Sequence, residues 1–175
     1  MVTTVAGQRR LRAGSVRGLR PGETTQLSAP GKPTLTVTAT PCRHGPPLSR
    51  PIAGAVIGFA LSLTGSSTTR LWMTGDTVLS RPVQRVAQNL DVDVLLMHLG
   101  SVRFPQTGPL RYSMDSGDAL RLIDLANPRI AIPVHYEGWS HFREPEQHLR
   151  ATLARTGAAP QRILKWLTPG EAQAM

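Results

Sequence analysis

Two near-continuous apolar runs, residues 92–99 and 129–134, stand on either side of a stretch whose apolar residues recur at helical spacing. A strand that alternates apolar and polar residues can leave one face in water, whereas an unbroken apolar strand has to be covered on both faces. Ala119, Leu122, Ile123 and Ala126, within residues 115–126, form the apolar stripe of a helix that supplies such cover. The second half of the chain therefore alternates strand and helix, and a sheet with helices packed on its faces is the class that accommodates it.

The first half is richer in strands. Residues 2–6 read as a short strand and 8–20 as a basic turn or short helix, after which Gly22, Pro30 and Pro33 punctuate hairpin-like connections. Residues 35–40 (LTVTAT) alternate apolar and β-branched side chains, a strand signal, and run into a proline- and glycine-rich loop, 41–51, that contains His44. Strands over 55–63 and 69–74 follow, joined by the turn Gly65-Ser66-Ser67, and the second ends at Gly75-Asp76-Thr77. Ser80 stands where it can cap a helix over 81–90, with Pro82 tolerated in the first turn. A last helix is predicted over 144–156, stopped by Gly157, and a last short strand over 163–167. The reading is one α/β domain over residues 1–175, a length that can bury a substantial core.

Composition narrows the function classes. No run approaches the roughly 18 apolar residues that cross a bilayer. The first arginines follow the apolar residues, the reverse of a secretory signal, so a cytoplasmic address is expected. A single cysteine, Cys42, excludes an intramolecular disulfide framework and a cysteine zinc ribbon, and reads as a packed or loop residue. The net charge of +9 invites a nucleic-acid reading, since basic surface releases counterions from phosphate backbones. That charge is nearly all arginine and is spread along the chain, with one cluster at Arg9, Arg10, Arg12, Arg17 and Arg20. Aromatics for base stacking are few and no nucleic-acid motif occurs, so a small-molecule substrate is expected instead of a nucleic acid.

His44, Asp76 and His135 each follow a predicted strand, the place where loops build sites on sheet scaffolds. Neutral imidazole and carboxylate are usual donors for zinc and also suit manganese or iron. Taken singly, each is equally an ordinary polar residue at a strand end, Gly-Asp-Thr being a common turn.

Five segments in order, TPCRHGPP, VIGFALSL, LWMTGDTVL, VDVLLMHLG and IPVHYEGW, give these residues a context. Together they resemble the second half of metallo-β-lactamase superfamily proteins, in the branch similar to L-ascorbate-6-phosphate lactonase and N-acyl phosphatidylethanolamine phospholipase D. In that branch a histidine follows a T-P-A-x-H-like strand end, an aspartate sits in a G-D-T/S turn, and a histidine closes a P-x-H strand. The likeness covers residues 2–170. It implies an αββα sandwich with metals at one edge between two sheets, here N-terminally incomplete. His44 would join the first divalent metal, Asp76 would bridge, and His135 would join the second, zinc being the first choice. Asp76 and His135 would serve catalysis on a small ester, lactone or phosphoester.

The family's first motif, H-x-H-x-D-H, is absent, since no two histidines lie two apart and no Asp-His pair occurs. A start downstream of the true one, a truncated gene, or a completing chain or second copy would each account for this. Metal binding by the isolated chain is expected to be weak. Further substrate-binding candidates are His98, at the end of a buried strand, and Tyr136, Trp139, His141 and Arg143 in YEGWSHFR, where Arg143 or His141 could receive an anionic group. Residues 103–112 read as a lid or a plain connection, and His148 as an exposed residue without a role. The alternative readings are a nuclease of the same superfamily and a catalytically inactive basic nucleic-acid or interaction module.

Overall fold

The alternation in residues 35–40 and the apolar runs that follow build one sheet. In the computed structural model, which describes residues 1–155 and 162–174, that sheet has six strands: β3 (Thr24–Leu27), β4 (Leu35–Pro41), β5 (Ile57–Leu63), β6 (Thr69–Met73), β7 (Val92–His98) and β8 (Ile130–Val134), side by side in that order. A separate parallel pair comprises β1 (Val2–Thr4) and β2 (Arg17–Leu19). The helices are α1 (Val5–Leu11), α2 (Arg50–Ala53), α3 (Arg81–Asn89), α4 (Ser116–Ala126) and α5 (Glu146–Ala154).

Strands β3 to β6 pair antiparallel, and β6, β7 and β8 pair parallel. Two antiparallel steps return β6 to the direction of β4. The carboxyl ends of β4, β6, β7 and β8 therefore share one edge of the sheet.

Each face has its own partner. Ala60, Trp72, Leu95, Met97 and Ala131 pack with side chains of α3, α4 and α5 in the main core. Trp72 is fully buried there, and its indole N–H donates to Thr40 Oγ1 at 3.1 Å, so its one polar atom is satisfied. On the opposite face Val2, Thr3 and Thr4 of β1 stand across a cavity of about 310 Å³ from Ile57 and Phe59 of β5. Leu167 covers Val94, Ile130 and Ile132 farther along. The order of layers, α1 with β1 and β2, then six strands, then α3 to α5, is the expected α/β sandwich arrangement.

Several local expectations shift. Strand β2 falls within the region read as a basic turn or short helix and β3 among the hairpin-like connections; each is three or four residues long with one buried side chain, Leu19 or Thr25, too little for a periodic signal. Helix α1 starts at Val5, where Thr4 Oγ1 accepts the Gly7 N–H at 3.0 Å. Ser80 holds the N-cap position of α3 but makes no side-chain cap bond. Helix α4 is capped by Asp115, which accepts from the Asp118 N–H at 2.8 Å, and Glu144 accepts from the Ser116 N–H at 2.7 Å. Helix α5 begins only after Pro145; Thr156 and Gly157, the expected end of that helix, lie outside the described residues. The strand expected over 163–167 is a single bridge, Leu164 beside Ala131. Among the described residues no helix is long and apolar enough to cross a membrane.

Candidate functional site

The shared carboxyl edge gathers the residues singled out in the sequence. His44 lies three residues past β4, Asp76 three past β6, His98 ends β7, and His135 directly follows β8. Adjacent strands lie about 4.8 Å apart. Strand β6 is thus about 10 Å from β4 on one side and about 10 Å from β8 on the other, which sets Asp76 between the two histidines.

Backbone geometry forms the Asp76 turn. Gly75 has φ +67°, and a Cβ on it would stand 2.9 Å from the Ile57 carbonyl oxygen and 3.1 Å from Cys42 Sγ, so only glycine fits. Thr77, fully buried, ties this turn to the His44 loop: its Oγ1 accepts the Arg43 N–H at 2.9 Å and donates to the Val78 carbonyl at 2.9 Å. The Val78 N–H in turn donates to the Arg43 carbonyl at 2.9 Å. Cys42 Sγ donates to the Thr74 carbonyl at 2.7 Å, and burial pushes its thiol up to about 12. A thiol held neutral in this way is a poor nucleophile near pH 7.

Asp76 and His135 meet. His135 Nε2 stands 3.5 Å from Asp76 Oδ2, with both side chains about one-third exposed. His135 has φ +60°, a left-handed conformation that costs a non-glycine residue about 1–3 kcal/mol. The edge of the Phe142 ring packs on its imidazole at 5.0 Å between centroids. Its Nδ1 is buried without a hydrogen-bond partner among the described residues. His98 lies beside this pair, 5.8 Å from His135 between ring centroids, with its backbone N–H donating to Thr74 Oγ1 at 3.1 Å. Burial lowers the His98 pKa; the Asp76 charge opposes that shift and the His135 charge adds to it.

His44 is oriented separately. Its Nδ1 lies 2.8 Å from the Tyr112 carbonyl oxygen, and a carbonyl can only accept, so Nδ1 carries the proton and Nε2 keeps a free lone pair. The Tyr112 ring packs edge-on against the imidazole at 5.5 Å, and Ser49 Oγ donates to the His44 carbonyl at 2.6 Å. His44 lines a cavity of about 660 Å³ and Asp76 the smaller one beside β1. Thr4, Val56 and Ile57 belong to the walls of both.

The loop after β8 divides its candidates. Tyr136 turns into the main core, buried against Trp166 at 5.7 Å. Trp139 is 70% exposed and stacks on His141, which also meets Phe104 at 5.1 Å. Arg143 is exposed, tied to the site only through its backbone N–H on the Gly100 carbonyl at 2.9 Å. Residues 103–112 deliver the Tyr112 carbonyl to His44. In the sequence Thr77 is marked only as the last residue of the Gly-Asp-Thr turn, and Thr74 and Tyr112 are given no role: a threonine at a strand end and a tyrosine 68 positions from its histidine carry no spacing signal.

The donor set matches a divalent metal in kind and separation. Two ligands at about 2.1 Å from one tetrahedral zinc lie about 3.4 Å apart, close to the 3.5 Å between Asp76 and His135. The His44–Tyr112 bond has the form that orients metal-binding histidines, the far nitrogen fixed by a carbonyl. The number falls short. Among the described residues no three His, Cys, Asp or Glu side chains come together as a set able to hold a metal ion, whereas a catalytic zinc usually takes three protein ligands.

A family model described as the beta-lactamase superfamily domain matches residues 3–136. The chain belongs to the beta-lactamase superfamily. Among relatives of this superfamily member, a UPF0173 metal-dependent hydrolase of Carboxydothermus hydrogenoformans is 32% identical over 140 residues, which make up 78% of this chain and 55% of the relative. A protein of the same description from Archaeoglobus fulgidus is 26% identical over 143 residues, 79% of this chain and 56% of that one. The chain thus spans little more than half the length of these curated relatives. The fold is shared with an isothiocyanate hydrolase from Delia radicum gut bacteria (TM-score 0.76, 19% identity, 99% of this chain and 66% of that one). It is shared also with a possible metal-dependent hydrolase from Veillonella parvula (TM-score 0.77, 19% identity, 97% and 63%).

Proposed function

We propose that the chain carries part of the catalytic edge of a metal-dependent hydrolase of the beta-lactamase superfamily. Asp76 and His135 would hold a divalent ion, and His44 would contribute to a second. Zinc is the first choice, and manganese or iron suits the same donors. The observation that carries the reading is the 3.5 Å approach of Asp76 Oδ2 to His135 Nε2 at the shared carboxyl edge. Membership of the superfamily and the name metal-dependent hydrolase borne by the relatives support it.

A bound divalent ion would lower the pKa of a water and stabilise developing negative charge on a carbonyl or phosphoryl oxygen. The chain's own residues prepare the edge. The Tyr112 carbonyl keeps the proton of His44 on Nδ1 and leaves Nε2 basic, Thr77 holds the His44 and Asp76 loops in register, and Phe142 packs His135 in place. Donors beyond these three would come from polypeptide outside these 175 residues or from a second chain. The substrate class proposed is a small ester, lactone or phosphoester, with His98, beside His135, as the side chain placed to contact it.

Zinc titration of the purified chain, followed by calorimetry and by metal analysis after dialysis, tests this reading. Weak uptake is expected, reduced about tenfold or more in Asp76→Asn and in His135→Asn. Uptake that neither substitution changes would remove the site. Tight stoichiometric binding by the 175-residue chain alone would overturn the need for further donors.

A further inference from the structure

A cavity of about 660 Å³ opens between α1, the end of β2, the loop after β4 and the segment that leads into β5. Its volume falls in the range of small-molecule sites, about 300–1,000 Å³. Four arginines line it, Arg9 from α1, Arg20 after β2, Arg43 after β4 and Arg50 at the start of α2, and no acidic side chain does. Arg20 is occupied by Glu23, at 3.3 Å. Arg9, Arg43 and Arg50 have no carboxylate partner among the described residues, although other arginines of the chain do, as Arg70 and Arg129 share Asp93. Three un-neutralised guanidinium groups brought from three segments to one concave space leave a focused positive potential. They offer planar donor forks suited to oxyanions with several acceptor oxygens. His44 stands in the same wall.

We infer that this cavity binds the phosphoryl group of a small phosphorylated molecule, gripped by Arg9, Arg43 and Arg50. A phosphate monoester carries close to two negative charges and three terminal oxygens, which matches three donors better than a carboxylate does. Held there, the rest of the molecule extends past His44 toward Asp76 over the shared wall of Thr4, Val56 and Ile57. The cavity as an anion site stands on charge and shape alone; its use as the substrate's anchor rests on the hydrolase reading above.

The test uses the full 175-residue chain with a chelator present, so that metal binding plays no part. Inorganic phosphate and glycerol 3-phosphate are titrated at low ionic strength, with glycerol as the uncharged control, and read by calorimetry and by amide shifts in nuclear magnetic resonance. Both anions should bind, moving amides of residues 42–57, and glycerol should not; glycerol 3-phosphate binding more tightly than phosphate marks an organic monoester as the ligand. The double substitution of exposed Arg43→Gln and Arg50→Gln should weaken binding tenfold or more, while Arg81→Gln with Arg85→Gln, on α3, should leave it within twofold. Equal losses in the two double variants, or no binding by the unsubstituted chain, would overturn the site. A single-stranded oligonucleotide binding far more tightly than the monoester, with a steep salt dependence, would replace it with a nucleic-acid surface. Loss of anion binding with metal uptake intact refutes this inference alone, and the reverse result refutes the hydrolase reading alone.

Discussion

At the scale of single residues, one hydroxyl holds together two loops that the chain separates by more than thirty positions. Thr77 Oγ1 accepts from Arg43 and donates to Val78 with no access to water. Thr77→Val keeps the shape, removes both bonds and leaves the part-buried Arg43 N–H without its acceptor, which costs about 0.5–1.5 kcal/mol. Urea unfolding should show that loss and Thr77→Ser should restore most of it; a valine variant as stable as the parent would deny the hydroxyl its role. Cys42 makes a second residue-level case. Burial pushes its thiol up to about 12, so at pH 8 almost none is thiolate in the folded chain. An aromatic disulfide reagent should label it slowly in the native state and rapidly in urea, and prompt native labelling would contradict the placement.

Among the elements, α4 shows how a helix start concentrates charge. Asp115 caps it, Glu144 accepts from its first N–H, and Arg111 pairs with both Asp115 and Asp118. Despite its 2.9 Å pair with Arg111, Asp118 has a pKa raised above its ordinary 3.8, first by burial and then by the Asp115 charge. A carboxyl that holds its proton more tightly when folded than when unfolded contributes stability below the unfolded value, and loses it as pH rises through the folded one. The stability of the parent relative to Asp118→Asn should therefore increase as pH falls from 7 toward 4 and level off below. Thermal melts across that range check the sign, and a difference that shrinks on acidification would reverse it. The elements least legible beforehand were β2 and β3, because three or four residues with one buried side chain carry no period. Helix α4 was legible nearly to the residue because its apolar stripe is local, although Asp115, read as its first residue, is its cap.

Over the whole molecule, the two faces of the large sheet differ in cover. Helices α3 to α5 bury one face, whereas on the other Phe59, Leu61, Leu63, Leu71, Met73 and Leu96 remain half-buried. An apolar strip of that extent seeks a partner. The isolated chain should bind an environment-sensitive naphthalene dye while folded and should self-associate with rising concentration, as light scattering would show. A dye-silent monomer at high concentration would mean that the strip is covered in solution.

The α/β class, most strands and helices, and the placing of His44, Asp76 and His135 just beyond strand ends are legible in the residue order alone. These rest on periodicity, caps and turn residues that act within a few positions of one another. Only the tertiary structure decided which of them meet. Two antiparallel steps from β4 to β6, then parallel pairing to β8, bring four carboxyl ends to one edge, and Asp76 reaches His135 there while His44 turns to Tyr112. The same folding sends Tyr136 into the core and draws around one cavity three arginines that have no carboxylate partner among the described residues. Strand order and direction are set by which apolar faces can be buried together, a property of the packed chain that no local pattern contains.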